Sequence, residues 1–251
     1  MDKSLKVTSK KCIKCQKIIR GWMSRKNNIY LKLKKKDVKQ KFIDEINGYH
    51  LINNSSIKEC IWENINCNIV NDVCKISDEA NGSHLSGKDN RFDKWNISNK
   101  TSKTDGKKVS LSSYRLTSVC NNKSNGDKYS IVNEIKKRDN TYDYYSILLR
   151  NEDKTPYIKY TWYFIPKDYY IFKINPEKLI PKTRLKGKNK GEIIGWSSVH
   201  CSITFSMSSQ LWYSFDVEDI NKYKIYSVEI DNSKPKINYS QIYNLYLNDT
   251  I

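Results

Sequence analysis

Along the first seventy residues, apolar side chains recur at helical spacing. Within Cys15–Arg25, Ile18, Trp22 and Arg25 step by four and three. Val38, Phe42 and Ile46 form one stripe between Asp37 and His50, and Ile57, Ile61, Ile65 and Ile69 follow at four-residue steps with Trp62 and Glu63 beside them. Such steps put side chains on one face of a 3.6-residue turn, so three helices are predicted, the third N-capped by Ser55 or Ser56. After Asn71-Asp72 the chain turns polar up to Asp93. Strand signals then dominate: Val109 to Thr117, Tyr142 to Arg150, Tyr157 to Pro166, Tyr169 to Ile174, Ser198 to Val217 and Tyr223 to Ile230. These runs are rich in β-branched and aromatic residues. Tyr129 to Arg138 is the best helix of this half, and Lys182 to Gly191 reads as a charged loop. Helices first and a β-rich body afterwards predict an α/β or α+β core over residues 37–251, preceded by a basic extension over residues 1–36.

Composition narrows the classes. With 18 Tyr and 6 Trp among 251 residues, the chain carries too many aromatics for a disordered polymer. No window approaches the apolar length of a membrane span, and Met1-Asp2-Lys3-Ser4 lacks the apolar run of a signal peptide. An intracellular, reducing setting is expected, whether cytoplasm, nucleoid or viral factory, with no secretion and no membrane partner. Seven cysteines, an odd number, are then expected as free thiols. Cys12 and Cys15 form a C-x-x-C, but no second pair at zinc-ribbon spacing follows, and only His50, His84 and His200 could add imidazole ligands. The net charge is +18. Part of it reflects a bias toward residues with A/T-rich codons, since Lys, Asn, Ile and Tyr abound and Ala80 is the single alanine. Whatever its origin, such a field attracts polyanions, nucleic acid first. In the extension, Gln16-x3-Arg20-Gly21-x3-Arg25 resembles the IQ motif of calmodulin-family targets, with Cys15 where an aliphatic residue is usual. A calmodulin-like partner competes there with a plain basic amphipathic helix lying on the domain or on DNA.

The most informative stretch is Asn81 to Lys103. Gly82 and Gly87 predict a bent loop, Asp89 opens a short strand, Asp93-Lys94 turns it, and Trp95 to Lys100 forms the second arm. Strand alternation puts Trp95, Ile97 and Asn99 on one face and Asn96, Ser98 and Lys100 on the other, so Asp89 and Lys100 can meet. A carboxylate beside a lysine is the minimum for metal-assisted phosphodiester hydrolysis. The acid holds Mg²⁺ near the scissile phosphate, and the lysine orients or deprotonates the attacking water.

Here the sequence resembles a family. The runs Gly82-Ser83-His84-x-Ser86-Gly87-x-Asp89, Ile97-Ser98-Asn99-Lys100-x-Ser102-Lys103 and Ser112-Ser113-Tyr114-Arg115-Leu116 resemble type II restriction endonucleases of the PD-(D/E)XK nuclease superfamily, in a form similar to those of large DNA viruses and bacterial restriction systems. The resemblance covers residues 57–120 and implies a mixed central sheet flanked by helices. By it Asp89 is the metal-binding acid and Lys100 the catalytic lysine, with Mg²⁺ as cofactor and double-stranded DNA as substrate. Ser98 stands where the family has Glu or Asp. The missing acid is then expected from a helix, with Glu63 first, Glu134 second and Glu79 third; failing that, the chain would be a degenerate nuclease that binds DNA without cutting.

DNA contacts divide by chemistry. Phosphates need charge, offered by Lys94, Lys103, Lys107, Lys108 and the Lys182–Lys190 loop. Base edges need ordered donors, offered by Ser112, Ser113, Tyr114 and Arg115, and by Ser208, Ser209 and Gln210 in the run from Ser206. His84 is placed to touch DNA or a phosphate. A palindromic target would be matched by a two-fold homodimer.

Overall fold

The computed structural model describes residues 28–74, 77–78, 88–120, 126–205 and 209–248. The IQ-like segment, Glu79, His84, Ser208 and the bent loop before Asp89 lie outside the described residues.

Three helices lead: α1 (Ile29–Leu33), α2 (Lys36–Ile52) and α3 (Glu59–Cys74). Strands β1 (Ser77–Asp78), β2 (Asn90–Phe92), β3 (Trp95–Asp105) and β4 (Lys108–Arg115) come next. Helix α4 (Lys128–Asp139) connects to β5 (Tyr144–Asn151) and β6 (Tyr157–Pro166). The second half adds β7 (Ile180–Thr183), β8 (Ile193–Ser197), β9 (Cys201–Thr204), β10 (Gln210–Asp216), the short helix α5 (Val217–Ile220), β11 (Lys224–Asp231) and α6 (Tyr239–Leu247). The class is mixed α and β. No described helix is long and apolar enough to cross a membrane, and Cys60, Cys67, Cys120 and Cys201 are free thiols.

One sheet runs β11-β6-β5-β3-β4-β10-β9-β8-β7, with β2 and β1 branching beside β3. Among the described residues only β3 and β5 pair in parallel, joined through β4 and α4. A parallel neighbour needs such a crossover, because a tight turn can return the chain only antiparallel. Strand β3 is the fork of the sheet. One edge pairs with β5 without interruption from Ile97 to Lys103. The other edge pairs with β2 at Trp95–Ile97 and with β4 only at Thr104 and Asp105. Among the described residues, no strand pairs positions 98–103 on that edge.

Two apolar clusters fill the two sides. Val38, Phe42, Trp62, Ile65 and Ile69 pack on Ile97, Leu148, Trp162 and Phe164, whereas Ile131 and Ile135 of α4 pack with Ile147, Leu149, Tyr145 and Tyr213. The alternation of Ile147, Leu148 and Leu149 between clusters is the strand period at work. Ile29 and Leu33 are fully buried in the first cluster, so α1 belongs to the packed body although it precedes the boundary drawn at residue 36.

The structure corrects some local expectations. Tyr169–Ile174 is not a strand; Tyr170–Phe172 is a 3-10 turn. Ile171 and Phe172 are adjacent yet both enter one cluster, which a strand, sending neighbours to opposite faces, does not allow. Helix α3 begins at Glu59 rather than after Ser55 or Ser56. Ile57 lies ahead of it, its N–H held by the Tyr160 hydroxyl at 3.1 Å, and the Ser56 hydroxyl donates to Glu152. The stretch from Ser198 to Val217 is two antiparallel strands, β9 and β10. Within the expected Lys182–Gly191 loop, Lys182 and Thr183 complete β7.

Candidate active site

The β2–β3 hairpin turns on Asp93 and Lys94, with Asp93 at φ 56°. Asp tolerates this left-handed conformation better than most residues, and two-residue hairpins need it. The ladder continues past β2 through the Asp89 N–H, which donates to the Ile97 carbonyl at 2.8 Å. That bond sets Asp89 against the unpaired edge of β3. Its Oδ2 accepts from the Asn99 backbone N–H and from the Ser98 hydroxyl at 3.3 Å.

Lys100 completes the arrangement. Its side chain is 8% exposed, and its Nζ lies 3.9 Å from Asp89 Oδ2. The ammonium donates to Glu59 Oε1 at 2.7 Å and to the Asn99 carbonyl at 2.8 Å. Burial works against the ammonium, but the charges of Asp89 and Glu59 outweigh it and hold the Lys100 pKa above its ordinary value. Asp89 is displaced upward by burial, against the pull of Lys100 and the Asn99 N–H. Glu63, one turn along α3 from Glu59, is pushed up to about 7, chiefly by burial and then by the charges of Asp89 and Glu59. Three carboxylates thus crowd one ammonium.

The fork is held from behind by buried amides. Asn66 on α3 donates through Nδ2 to Asn99 Oδ1 and to Ser146 Oγ on β5, and Asn99 Nδ2 donates to Asn90 Oδ1 at 3.1 Å. Trp62 Nε1 donates to the Ser146 carbonyl at 3.1 Å, and Trp162 Nε1 to the Ser146 hydroxyl at 2.9 Å. Helix α3, which carries both glutamates, is therefore fixed to β3 and β5 by directional bonds as well as by apolar packing.

The expected pair Asp89 and Lys100 does come together, and Glu63 lies close enough to feel Asp89. Ser98 supports the Asp89 carboxylate with its hydroxyl. Glu134 is elsewhere, on α4, paired with Arg138 Nε at 2.8 Å. Glu59 was missed by the sequence reading. Its signal was present, since Glu59 and Glu63 stand four residues apart and share a helix face.

The expected DNA-reading residues separate. Strands β4 and β10 pair Gln210 with Arg115 and Trp212 with Ser112, so the two stretches singled out in the sequence become neighbours. Arg115 is exposed, while Ser112 and Ser113 are half-buried. Gln210 Nε2 donates to the Ser113 carbonyl at 2.9 Å. Tyr114 is turned into the core, its hydroxyl on Asp139 at 2.9 Å, which removes it from any groove-reading surface. Ser209 is likewise buried, donating to the Cys120 carbonyl at 3.1 Å. Lys103 is half-exposed and pairs with Glu152 at 3.0 Å.

Among the described residues, no three Asp, Glu, His or Cys side chains stand at full metal-liganding spacing. A Mg²⁺ ion keeps several waters and takes one or two carboxylates plus substrate phosphates. Asp89 and Glu63 are the residues that would hold it, and their crowded negative charge is what a divalent cation relieves. No family model, curated protein or solved structure matches the chain.

Proposed function

We propose that this protein is a Mg²⁺-dependent endonuclease that hydrolyses phosphodiester bonds of double-stranded DNA, acting as a homodimer on a specific site in the manner of type II restriction enzymes. The observation that carries the reading is the buried Lys100 ammonium beside Asp89, flanked by two helix glutamates at the unpaired edge of β3. The motif runs around Asp89 and Lys100, and the +18 charge that draws a polyanion, support it.

Asp89 and Glu63 would hold the cation, which would polarise a phosphate oxygen and lower the pKa of a bound water. The remaining work falls to the chain. Asp89 is oriented by the Asn99 N–H and the Ser98 hydroxyl. Lys100, kept protonated by its carboxylate neighbours, acts as a donor that orients water and stabilises charge growing on the phosphate, rather than as a base. Glu59 holds the ammonium until substrate arrives.

The second reading is a DNA-binding protein of the same fold without hydrolysis. It is favoured by the engagement of Asp89 Oδ2 by two hydrogen-bond donors and the Lys100 ammonium, and by a serine at position 98. A plasmid-cleavage assay with Mg²⁺, beside EDTA and Asp89→Ala controls, separates them. Discrete fragments that vanish in both controls are expected. A gel shift with no cutting, in Mg²⁺ or Mn²⁺, overturns the enzyme reading in favour of the binding one.

A further inference from the structure

A groove of about 480 Å³ opens where the ends of β3, β5, β6 and β11 meet α5. Lys107, Lys154, Lys159 and Lys224 reach it from four separate elements. Lys107 is taken up by Glu218 at 2.7 Å. Among the described residues, Lys154, Lys159 and Lys224 have no ion-pair partner. Glu229, across from Lys159 in the β11–β6 register, is the remaining acid of the lining. Tyr157, 44% exposed, stands on the same rim. Thr104 at the groove floor lies four residues beyond Lys100 on the same side of β3. At about 3.3 Å per residue the offset is about 13 Å, the axial rise of roughly four nucleotides.

From this we infer that the groove is a subsite for a single-stranded nucleic-acid segment, Tyr157 stacking on a base while Lys154, Lys159 and Lys224 bind phosphates. Two observations favour one strand over a duplex. The groove is concave and of nucleotide size, which a rigid double helix does not enter. An exposed aromatic sits among unpaired lysines, the combination that single-strand sites use. The groove also continues the face of β3 that carries Lys100. The inference rests on the nuclease reading only for the link between groove and reaction, since binding is measured without cutting.

The test uses the full chain in EDTA with fluorescein-labelled dT12 and a 12-base-pair duplex, read by anisotropy across a salt series. The groove variant Lys154→Ala/Lys159→Ala/Lys224→Ala is compared with Lys186→Ala/Lys188→Ala/Lys190→Ala, which removes equal charge from the exposed loop. The groove variant is expected to weaken dT12 binding about tenfold more than the loop variant, and to flatten the salt slope by about 2. Its effect on the duplex should match the loop variant. Tyr157→Ala should weaken dT12 about tenfold, with Tyr157→Phe restoring it. Equal losses from the two lysine triples, or no loss from Tyr157→Ala, overturn the inference. Failure of plasmid cleavage with these binding results intact would remove the nuclease reading and leave the single-strand subsite standing.

Discussion

At the scale of single residues, the site is a balance of charges in which every member leans on another. Lys100 is the cation that pairs with both Glu59 and Asp89, with Glu63 one turn from Glu59 on the same helix. Lys100→Ala should therefore abolish cleavage and also lower stability by about 2–3 kcal/mol, less than for a fully buried pair because the Glu59 side chain is 41% exposed. Urea unfolding should show that deficit near pH 8 and a smaller one near pH 5, where Asp89 and Glu63, both shifted upward, take up protons more readily. Glu63 makes the opposite prediction. Its pKa is raised from 4.5 to about 7 on folding, so its favourable share is complete below pH 4.5 and is lost as the pH rises through 7. Glu63→Gln should then raise the melting temperature at pH 8.5, by the equivalent of about 1–2 kcal/mol after solvent screening, and leave it unchanged at pH 4.5. The same variant should lose Mg²⁺-dependent cutting. A gain in stability with a loss of activity marks a residue kept for function at a cost to the fold.

At the scale of elements, the decisive feature is where β3 lacks a neighbour. The β2–β3 hairpin was legible because Asp-Lys between alternating segments is a turn with a mechanism, and the helical stripes of α2 and α3 were legible from four-residue steps. The missed elements differ in their signals. Helix α1 is only five residues long, whereas α6 carries Tyr239, Ile242, Tyr243 and Tyr246 at helical steps that the sequence reading passed over. Close approach of strands is tested at Gly195, where an added Cβ would stand 2.1 Å from the Ile203 carbonyl oxygen. Gly195→Ala should force β8 away from β9 and cost about 2–3 kcal/mol, read as a lowered urea midpoint with an unchanged slope.

At the scale of the molecule, a fork in one large sheet brings a hairpin acid, a strand lysine and two helix glutamates into one charged cluster, inside a chain whose net charge is +18. A cation that binds the folded cluster and not the unfolded chain must stabilise by mass action. Adding Mg²⁺ at about ten times its dissociation constant should raise stability by about 1.4 kcal/mol, and EDTA should reverse it. The Asp89→Ala protein should show no such rise; an equal rise there would place the cation elsewhere.

The sequence by itself determined the helical stripes, the hairpin, the mixed class and the pairing of Asp89 with Lys100, because each follows from spacing within a few residues and from the strand and helix periods. Tertiary structure decided the rest. Glu59 joined the site because α3 is fixed across β3 by Asn66 and Trp62, a contact between segments thirty and eighty residues apart. Tyr114 left the reading surface because a bulge in the β4–β10 ladder breaks the alternation set by Val109 and Leu111 and turns it inward, and Ser209 because it sits at φ 47° in the turn before β10. Burial outranks polarity where a hydroxyl finds a carboxylate or carbonyl partner. The lysine-lined groove exists only where the ends of several strands meet. Periodicity fixes which face a side chain takes; which faces then meet is set by packing between distant segments, and local spacing carries no record of it.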